Sequence, residues 1–277
     1  MIMLKIIKNT LRGNIWRISR KMYRLARKEN FYSQDKNGEF WLIDTLTKKA
    51  PKNKNLVFFD IGSFKGQWSM YALQQLLKNK LNKANIFAFE PTLHSFQKLE
   101  IVFENIKKVY LNRIAFSSQN GKRNFFVHGE FTGNNSFVYN KNAIVETVDV
   151  LTVDEFIEKN NLKHIYLIKS DAEGHDFKII MGAKKAFENE LIGFWQLEYN
   201  HRWIEDRNFL KDLFVFIKDK NYTIGKLCKN HIEIYDEWHM ELEKFFEANY
   251  VVLHKKYLKE EFCLKSKFNE HNVLENE

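Results

Sequence analysis

The sequence is poor in cysteine, with only Cys228 and Cys263 among its 277 residues. Two cysteines are too few for a disulfide framework, and they do not form the pattern of a cysteine-based zinc site. Disulfide-rich scaffolds belong to oxidising compartments, so their absence favours a reducing one. We therefore expect a cytoplasmic protein that folds around a hydrophobic core.

Proline and glycine are also scarce, and long apolar runs are missing. The chain has 2 Pro and 11 Gly, whereas 15% of its residues are aromatic. This composition argues against collagen-like and disordered chains and predicts a densely packed domain. Lys5, Lys8, Arg12 and Arg17 interrupt the N-terminal segment, and no run approaches the ~20 apolar residues of a membrane span. We expect neither a signal peptide nor a transmembrane helix.

Positive charge is concentrated at the N-terminus. Residues 1–28 hold nine of the 44 Lys and Arg residues and no acid, which leaves 35 basic against 35 acidic residues elsewhere. Apolar residues recur there at spacings of three and four, namely Leu4, Ile7, Leu11, Ile15, Ile18, Met22 and Leu25. Such a basic amphipathic helix either contacts a membrane surface or polyanion, or packs its stripe on the core or on a second copy in a homodimer. We favour packing.

Beyond this extension, taken as residues 1–50, the pattern alternates between strand and helix. Continuous apolar runs are typical of parallel strands that are buried on both faces. Such strands are predicted at 56–60, 86–90, 109–111, 165–169 and 193–198, and further strands at 222–226, 232–235 and 250–253. The pattern predicts an α/β protein with a Rossmann-like domain over residues 51–256, a mostly parallel seven-stranded sheet and helices on both faces. Residues 257–277 are expected to form a loose polar tail.

Helices are predicted from periodicity and capping signals. Thr152 is the expected N-cap of a helix at 152–159, and Gly174 is expected to open a helix that ends near Phe187. Other helices are predicted at 67–78, 91–105, 206–218 and 237–246. In the middle of the chain, short strands at 124–128 and 146–150 are expected to flank a polar loop at 132–136.

The first motif that bears on chemistry is DIGSFKG, which starts at Asp60 where a strand gives way to a helix. Gly62 and Gly66 let the backbone turn tightly and approach a ligand closely. The third glycine of the dinucleotide fingerprint is missing, which argues against a nicotinamide-dependent oxidoreductase and favours a nucleoside without a pyrophosphate. Asp60 would repel phosphates but suits a cation, and S-adenosylmethionine is a nucleoside that carries an ammonium and a sulfonium.

A second acid, Glu90, ends the next strand along the chain. A carboxylate there can accept hydrogen bonds from both hydroxyls of a ribose. Because parallel strands end at one edge of a sheet, Asp60 and Glu90 are expected to form an adenosine cradle at that edge. The other residues expected at the cofactor are Gly62, Ser63, Gly66, Pro91, Ala115 and Asp171.

The third cluster is KSDAEGHD, which starts at Lys169 after the fourth main strand. Its acids or His175 would take a proton from an acceptor hydroxyl, or the carboxylates would hold a divalent cation such as magnesium that acidifies it. In a purely structural interpretation, Lys169 pairs with a carboxylate and His175 lies on the surface. Glu198, near the end of the fifth strand, is expected to join the acceptor pocket. The candidate catalytic residues are Lys169, Asp171, Glu173, His175 and Glu198, and no metal ligands are assigned.

Taken together, these motifs resemble those of the FkbM family of methyltransferases. VFFDIGSFKG from residue 57, FAFEP from 87, IKSDAEG from 168 and QLEYN from 196 follow the order and spacing of the family. The likeness spans residues 38–226. Ser63 and Lys65 differ from the usual alanine and small or polar residue, and Asp176 stands where a glutamate is usual.

The resemblance implies a class I methyltransferase fold and transfer of a methyl group from S-adenosylmethionine to oxygen. We expect the acceptor to be a sugar hydroxyl of a surface glycan or its precursor. The alternatives are a natural-product acceptor and a non-catalytic protein that binds a membrane or polyanion. Because Pro51 and Pro91 are far apart, the chain lacks the Pro-Pro motif of base-flipping methyltransferases, and nucleic acid is not an expected partner. Contact of residues 1–28 with the inner membrane surface is a further hypothesis.

Overall fold

The computed structural model describes residues 2–27, 33–127, 136–137, 141 and 143–276. Its strands are β1 (Leu56–Ile61), β2 (Ala84–Phe89), β3 (Val109–Asn112), β4 (Ala115–Phe116), β5 (Gly121–Val127), β6 (Ile144–Leu151), β7 (Ile165–Ser170), β8 (Ile192–Tyr199), β9 (Tyr222–Leu227), β10 (Ile232–Tyr235), β11 (Ala248–His254), β12 (Cys263–Phe268) and β13 (Leu274–Asn276). Its helices are α1 (Ile2–Ala26), α2 (Glu39–Lys49), α3 (Gln67–Lys78), α4 (Leu93–Phe103), α5 (Val153–Lys159), α6 (Asp176–Met181), α7 (Lys184–Glu188), α8 (Arg202–Glu205) and α9 (Leu210–Ile217). Short 3₁₀ turns lie at Met240–Leu242 and Lys255–Tyr257.

Ten strands form the main sheet, in the order β13-β12-β10-β9-β11-β8-β7-β1-β2-β3. The five neighbours from β3 to β8 are parallel, and β11 runs antiparallel to both β8 and β9. The predicted α/β fold with a Rossmann-like parallel core is confirmed. The predicted strand number is wrong, because β10, β12 and β13 extend the sheet beyond β9.

The central strands are apolar on both faces because helices cover both faces. Phe58 and Phe59 are successive residues of β1, so their side chains point to opposite sides of the sheet. The ring of Phe59 packs 5.5 Å from that of Phe156 in α5, whereas Phe58 belongs to the opposite cluster, where Leu42 of α2 is fully buried. Helix α2, expected to be part of an N-terminal extension, therefore contributes to the core of the domain.

The middle of the chain forms a separate three-stranded sheet in the order β4-β6-β5. Strands β5 and β6 correspond to the two predicted strands, and β4, which pairs in parallel with β6, was not expected. Residues 132–135 of the predicted polar loop lie outside the described residues, while Ser136 pairs with Phe126 of β5. This small sheet stands beside the parallel core and supplies part of the wall of the cavity described below.

The C-terminal residues differ most from expectation. Instead of a loose tail, residues 257–277 contribute β12, which pairs in parallel with β10, and β13, which pairs with β12. Phe262 is buried just before β12 and its carbonyl accepts a hydrogen bond from Ile232 N at 2.8 Å. The polar composition misled the prediction because β12 lies near the edge of the sheet, where only some of its side chains face the core.

The capping prediction for α5 is confirmed, because Thr152 Oγ1 accepts a hydrogen bond from Glu155 N at 3.1 Å. The helix expected from Gly174 to Phe187 is instead divided into α6 and α7. The division falls at Gly182, where the chain passes so close to Ser117 that an added Cβ would lie 2.2 Å from the Ser117 carbonyl oxygen. Tertiary packing thus interrupts a segment whose periodicity is continuous.

The helix expected at 237–246 is reduced to the 3₁₀ turn Met240–Leu242. Glu243, which follows this turn, accepts hydrogen bonds from Trp238 Nε1 and from Leu210 N, both at 2.8 Å. These bonds tie the segment to the first turn of α9 and replace the backbone bonds of a longer helix. Tertiary contacts here outweigh intrinsic helix propensity.

The predicted N-terminal helix is confirmed as α1, although Lys28 lies outside the described residues. Its described apolar residues from Leu11 to Leu25 are exposed, so the expectation that the stripe packs on the core of the same chain is wrong for this part of the helix. None of the described helices is long and apolar enough to cross a membrane.

The C-terminal strands are expected to stabilise the domain. Truncation after Lys259 removes Phe262 and the partner strand of β10, and should lower the free energy of unfolding in urea by about 3 kcal/mol or more, the usual effect of losing a buried aromatic side chain. Truncation after Asn269 removes only β13 and serves as the control, with an expected loss of about 1 kcal/mol or less. Equal stability of the two truncated proteins would contradict a structural role for β12.

Candidate active site

A cavity opens at the carboxyl ends of β1, β2 and β7, the edge at which parallel α/β sheets bind their ligands. Its empty space, part of it open to solvent, is about 750 Å³. The predicted residues that line it are Gly62, Glu90, Pro91, Ala115, Asp171 and Glu173. Three motifs that are far apart in sequence thus meet at one cavity.

The wall of the cavity is largely aromatic. Phe64 follows β1 and Phe89 ends β2, while Phe116, Phe125 and Phe137 come from the small sheet and the segment beside it. Such rings offer flat apolar surfaces with a ring-stacking geometry that suits another aromatic group. The sequence analysis missed this aromatic lining because it depends on the placement of the small sheet.

The loop between β1 and α3 has a backbone that glycine makes possible. Gly62 has a φ of 76°, and a Cβ there would lie 2.2 Å from the carbonyl oxygen of Asp171. Gly66 has a φ of 75°, and a Cβ there would lie 2.5 Å from the ring of Phe103. Gly62 therefore allows the first and third motifs to touch, whereas Gly66 faces α4 rather than the cavity.

Ser63 stabilises the loop between β1 and α3 through two backbone contacts. Its hydroxyl donates to the carbonyl of Asp60 at 2.7 Å and accepts from the backbone N–H of Phe89 at 3.0 Å. Ser63 is buried and does not line the cavity, so its contribution is to connect the end of β1 with the end of β2.

Glu90 is buried at the cavity wall with most of its hydrogen-bonding capacity already in use. Oε1 accepts from both the backbone N–H and the hydroxyl of Thr92, at 3.0 and 2.6 Å, and Oε2 accepts from Phe64 N at 3.0 Å. A carboxylate offers about four acceptor positions, so one remains, on Oε2. Burial raises the pKa of Glu90. The side chain has capacity for one ribose hydroxyl rather than the expected two.

Lys169 is the buried cation behind the cavity. Its Nζ lies 3.6 Å from Asp60 Oδ1 and 3.5 Å from Asp171 Oδ2, and it donates to the carbonyl oxygen of Gly62 at 3.3 Å. Burial alone would lower the pKa of Lys169, but the charges of Asp171, Asp60 and Glu39 outweigh it and raise that pKa. Lys169 is therefore charged, and it joins β1 to β7.

Asp60 does not face the cavity. Its side chain is fully buried, with Oδ2 accepting from the Ser69 hydroxyl at 2.6 Å and Oδ1 directed toward Lys169. The sequence pattern placed this acid correctly at the end of β1, but a buried lysine that is distant in sequence takes the contact expected for the cofactor.

Asp171 and Glu198 form a coupled pair of carboxyl groups. Partial burial opposes the charge of Asp171, but Lys169 outweighs that effect and lowers the pKa of Asp171. Burial, and then the negative charge of Asp171, raise the pKa of Glu198 well above its usual value. Glu198 therefore binds a proton more tightly than Asp171 does, and a hydrogen bond connects the two carboxyl groups. Only Asp171 of the two lines the cavity, with 40% of its side chain exposed.

Glu173 reaches the cavity through an unusual turn. Its φ is 54°, and the φ of Gly174 is 94°; a Cβ on Gly174 would lie 2.7 Å from the backbone of Arg202. The Glu173 carboxylate forms an ion pair with the Arg202 guanidinium. Burial, followed by the charge of Asp171, nevertheless raises the pKa of Glu173 to about 8. The turn thus places a carboxyl group that titrates near neutrality at the cavity wall.

His175 does not line the cavity, although its ring lies 4.6 Å from that of Phe137, which does. Its Nδ1 is 2.9 Å from Asp206 Oδ2, and its Nε2 is 2.9 Å from the hydroxyl of Ser117, which is itself fully buried. Burial lowers the pKa of His175. The side chain connects the start of α6 with the small sheet and with the end of α8, in agreement with a structural interpretation, although it is buried rather than on the surface.

The sequence analysis did not single out Glu39 or Arg202. Glu39, in the first turn of α2, is buried and accepts from Asn37 Nδ2 at 2.6 Å, and its charge contributes to the pKa of Lys169. Arg202 pairs with Glu173 as described above. Neither residue lies within a recognisable motif. The sequence offers one indirect indication, because partly or fully buried charges, such as those of Lys169 and Glu173, need partners of opposite charge.

Two observations concern metals. Asp171 and Glu173 each already contact a cationic side chain, so their arrangement gives no separate support to the expected divalent cation. Away from the cavity, Cys228, His231 and Glu233 bring potential ligand atoms within 4.8 Å of one another. Burial opposes the charge of Glu233, but a hydrogen bond with His231 and then the charge of Lys226 lower its pKa, which favours an ion-pair network over a cation site there.

Comparison with known proteins identifies a family and a relative. The sequence profile described as "Methyltransferase FkbM domain" matches residues 60–224. The hexuronic acid methyltransferase AglP of Haloferax volcanii is 26% identical over 206 residues, which cover 70% of this chain and 79% of AglP.

Two solved structures show a looser similarity in fold. A precorrin-6y C5,15-methyltransferase from Geobacter metallireducens GS-15 has a TM-score of 0.41 and 12% identity, and the match covers 82% of this chain and 91% of that one. SMU.1697c from Streptococcus mutans, in complex with SAH, has a TM-score of 0.42 and 12% identity over 77% and 96% of the two chains. Because the family profile matches more than half of the sequence, this chain belongs to the FkbM family of methyltransferases.

Proposed function

We propose that this protein transfers a methyl group from S-adenosylmethionine to a hydroxyl oxygen of a sugar in a glycan or glycan precursor. The observation that carries the proposal is that Glu90 and Asp171 line the same cavity. Glu90 suits a ribose, and Lys169 keeps Asp171 charged. Membership of the FkbM family supports methyl transfer, and similarity to a protein named as a hexuronic acid methyltransferase favours a sugar acceptor.

The cavity has features that suit each part of the proposed cofactor. Phe89, Phe116 and Phe137 offer an aromatic surface to the adenine, and Glu90 offers an acceptor to the ribose. Asp171 supplies negative charge near the sulfonium, and Glu173 adds a second negative charge as it ionises near pH 8. When bound, the cofactor supplies a methyl group on a cationic sulfur, which an oxygen nucleophile can attack directly.

Asp171 is the residue proposed to accept the proton of the acceptor hydroxyl. Its carboxylate is charged because Lys169 lowers its pKa, and Glu198 retains a proton and adds no second charge. A base with a low pKa takes the proton late, as the bond between oxygen and methyl forms and the hydroxyl becomes more acidic. Positioning is expected to provide much of the rate, because this displacement needs oxygen and methyl carbon held in near-attack geometry.

The charge of the site favours methyl transfer to a neutral hydroxyl group of the acceptor over transfer to an anionic carboxylate group. Asp171 is negative at neutral pH, and Glu173 becomes negative above about pH 8. Arg202 is already paired with Glu173. Because like charges repel strongly in a partly desolvated cavity, the carboxylate of a uronic acid is disfavoured beside Asp171 relative to a sugar hydroxyl. We therefore propose an ether product rather than an ester.

Binding of the cationic cofactor should depend on the titration of Glu173. This group is neutral below its pKa of about 8 and negative above it, so a sulfonium should be bound more tightly as the pH rises. S-adenosylhomocysteine has the same ammonium but no sulfonium. We expect the affinity for S-adenosylmethionine, relative to that for S-adenosylhomocysteine, to rise about three- to tenfold between about pH 7 and 9 in calorimetric titrations.

Glu173→Gln should abolish this pH dependence, because a neutral amide replaces the titrating carboxyl group. Glu104→Gln, which changes an exposed glutamate outside the cavity, should retain the wild-type profile. A relative affinity that stays constant with pH in the wild-type protein would remove Glu173 from the sulfonium site. Failure of folded protein to bind either compound would refute the cofactor assignment itself.

The two coupled carboxyl groups should respond differently to neutralisation. Asp171→Asn removes the proposed base and should lower kcat by about 100-fold or more, with little change in affinity for S-adenosylhomocysteine. Glu198→Gln replaces a group that is already protonated and should lower kcat by about tenfold or less. Methyl transfer to a glucuronic acid glycoside, measured with radiolabelled S-adenosylmethionine, provides the rates.

Asp149→Asn, which neutralises an exposed aspartate with 62% side-chain exposure, is the matched control and should retain wild-type rates. Thermal unfolding of each variant shows whether loss of a partner of Lys169 disturbs the fold. A loss in Glu198→Gln as large as that in Asp171→Asn would contradict the proposed proton distribution. A wild-type rate in Asp171→Asn would exclude Asp171 as the base.

A further inference from the structure

Helix α1 presents an apolar stripe to solvent. Leu11, Ile15, Ile18, Met22 and Leu25 are each between 56% and 65% exposed. At about 100° per residue, these five side chains fall within an arc of about 80° on one side of the helix. Isolated exposed apolar residues are common, but a continuous stripe about 21 Å long is typical of an interaction surface.

The opposite side of α1 holds the helix on the domain, so the orientation of the stripe is set by contacts. The ring of Tyr23 lies 6.4 Å from that of Phe246, and the guanidinium of Arg20 lies 4.7 Å from the centre of the same Phe246 ring. Arg27 is buried, with its guanidinium 4.8 Å from the centre of the Phe268 ring. Aromatic and cationic side chains thus pack on the body, and the aliphatic ones face outward.

Charge identifies the kind of partner that the stripe suits. Helix α1 contains no acidic residue, and the exposed residues Arg12 on one side and Arg17 and Lys21 on the other flank the stripe. Two copies that met stripe to stripe would bring these cations together, and the repulsion would oppose a dimer. An anionic phospholipid surface accepts both features, because it buries apolar side chains and attracts the flanking cations.

We propose that α1 docks the protein on an anionic phospholipid membrane surface, with the helix in the plane of the interface and its apolar stripe inserted among the headgroups. The charge of Arg24 interacts with Glu247, and the charge of Glu247 interacts in turn with Asp171. Glu247 thus lies within electrostatic range of both the docking helix and the proposed base. The docking itself does not depend on methyl transfer.

The proposal is tested by sedimentation of the full-length protein with vesicles. We expect binding to phosphatidylcholine vesicles that contain about a third phosphatidylglycerol, and at least tenfold weaker binding to pure phosphatidylcholine vesicles or at about 0.5 M salt. No binding of folded wild-type protein to the anionic vesicles would overturn the proposal.

Substitutions separate the two components of the surface. Ile15→Ser, Ile18→Ser and Met22→Ser together should weaken binding to anionic vesicles at least tenfold, as should Arg12→Gln, Arg17→Gln and Lys21→Gln together. All six side chains are exposed, so neither change is expected to affect folding, which circular dichroism can verify. A control set of exposed apolar residues far from α1 in sequence, Ile101→Ser, Val102→Ser and Val215→Ser, should bind as the wild type does.

Dimerisation through the stripe would give a different result from membrane docking. If light scattering shows a wild-type dimer that the Ser substitutions in α1 convert to a monomer, and vesicles are not bound, the stripe is a dimer interface and the membrane proposal is wrong. Equal vesicle binding by the wild type and by the α1 Ser variant would also overturn it. Cofactor binding, measured in the same samples, should be unchanged by either α1 variant.

Discussion

The arrangement of the site depends on one buried ammonium, that of Lys169. A charge removed from water is tolerated only when it is paired, and the partners of Lys169 are Asp60 at the end of β1, the carbonyl of Gly62 and Asp171 beyond β7. These contacts join the first and third motifs, which are more than a hundred residues apart in sequence. They also lower the pKa of Asp171, whose negative charge adds to burial in raising the pKa of Glu198. A single electrostatic constraint thus fixes both the position and the protonation of the proposed base.

Around Lys169, a different local feature of the chain forms each wall of the cavity. The glycine at position 62 lets one loop touch another, the left-handed turn at Glu173 and Gly174 directs a carboxyl group inward, and the small sheet supplies aromatic rings. The elements outside the cavity extend this arrangement. Helix α1 is held on the domain by Arg20 and Tyr23 and presents its apolar stripe away from the domain.

Much of the fold and part of the cavity lining could be predicted because they follow from local patterns. Continuous apolar runs identify buried parallel strands, and acids at strand ends indicate the edge of the sheet, which is why Glu90 and Asp171 were expected at the cavity that they line. Asp60 was placed correctly but misassigned, because its contact with Lys169 is a tertiary ion pair with no local signal. Strand β12, which is next to the edge strand β13, was missed because its lysines face solvent, and the burial of His175 depends on Asp206, which is distant in sequence.

The most direct test of the proposed chemistry is to determine which oxygen of the product carries the methyl group. Wild-type protein would be incubated with S-adenosylmethionine labelled with ¹³C in its methyl group and with a glucuronic acid glycoside, and the product would be examined by NMR. An ionised Asp171 beside the acceptor predicts a methyl ether on a ring hydroxyl. A methyl ester on the carboxylate, or no transfer by protein that binds S-adenosylhomocysteine and is offered a range of glycan hydroxyls, would contradict it.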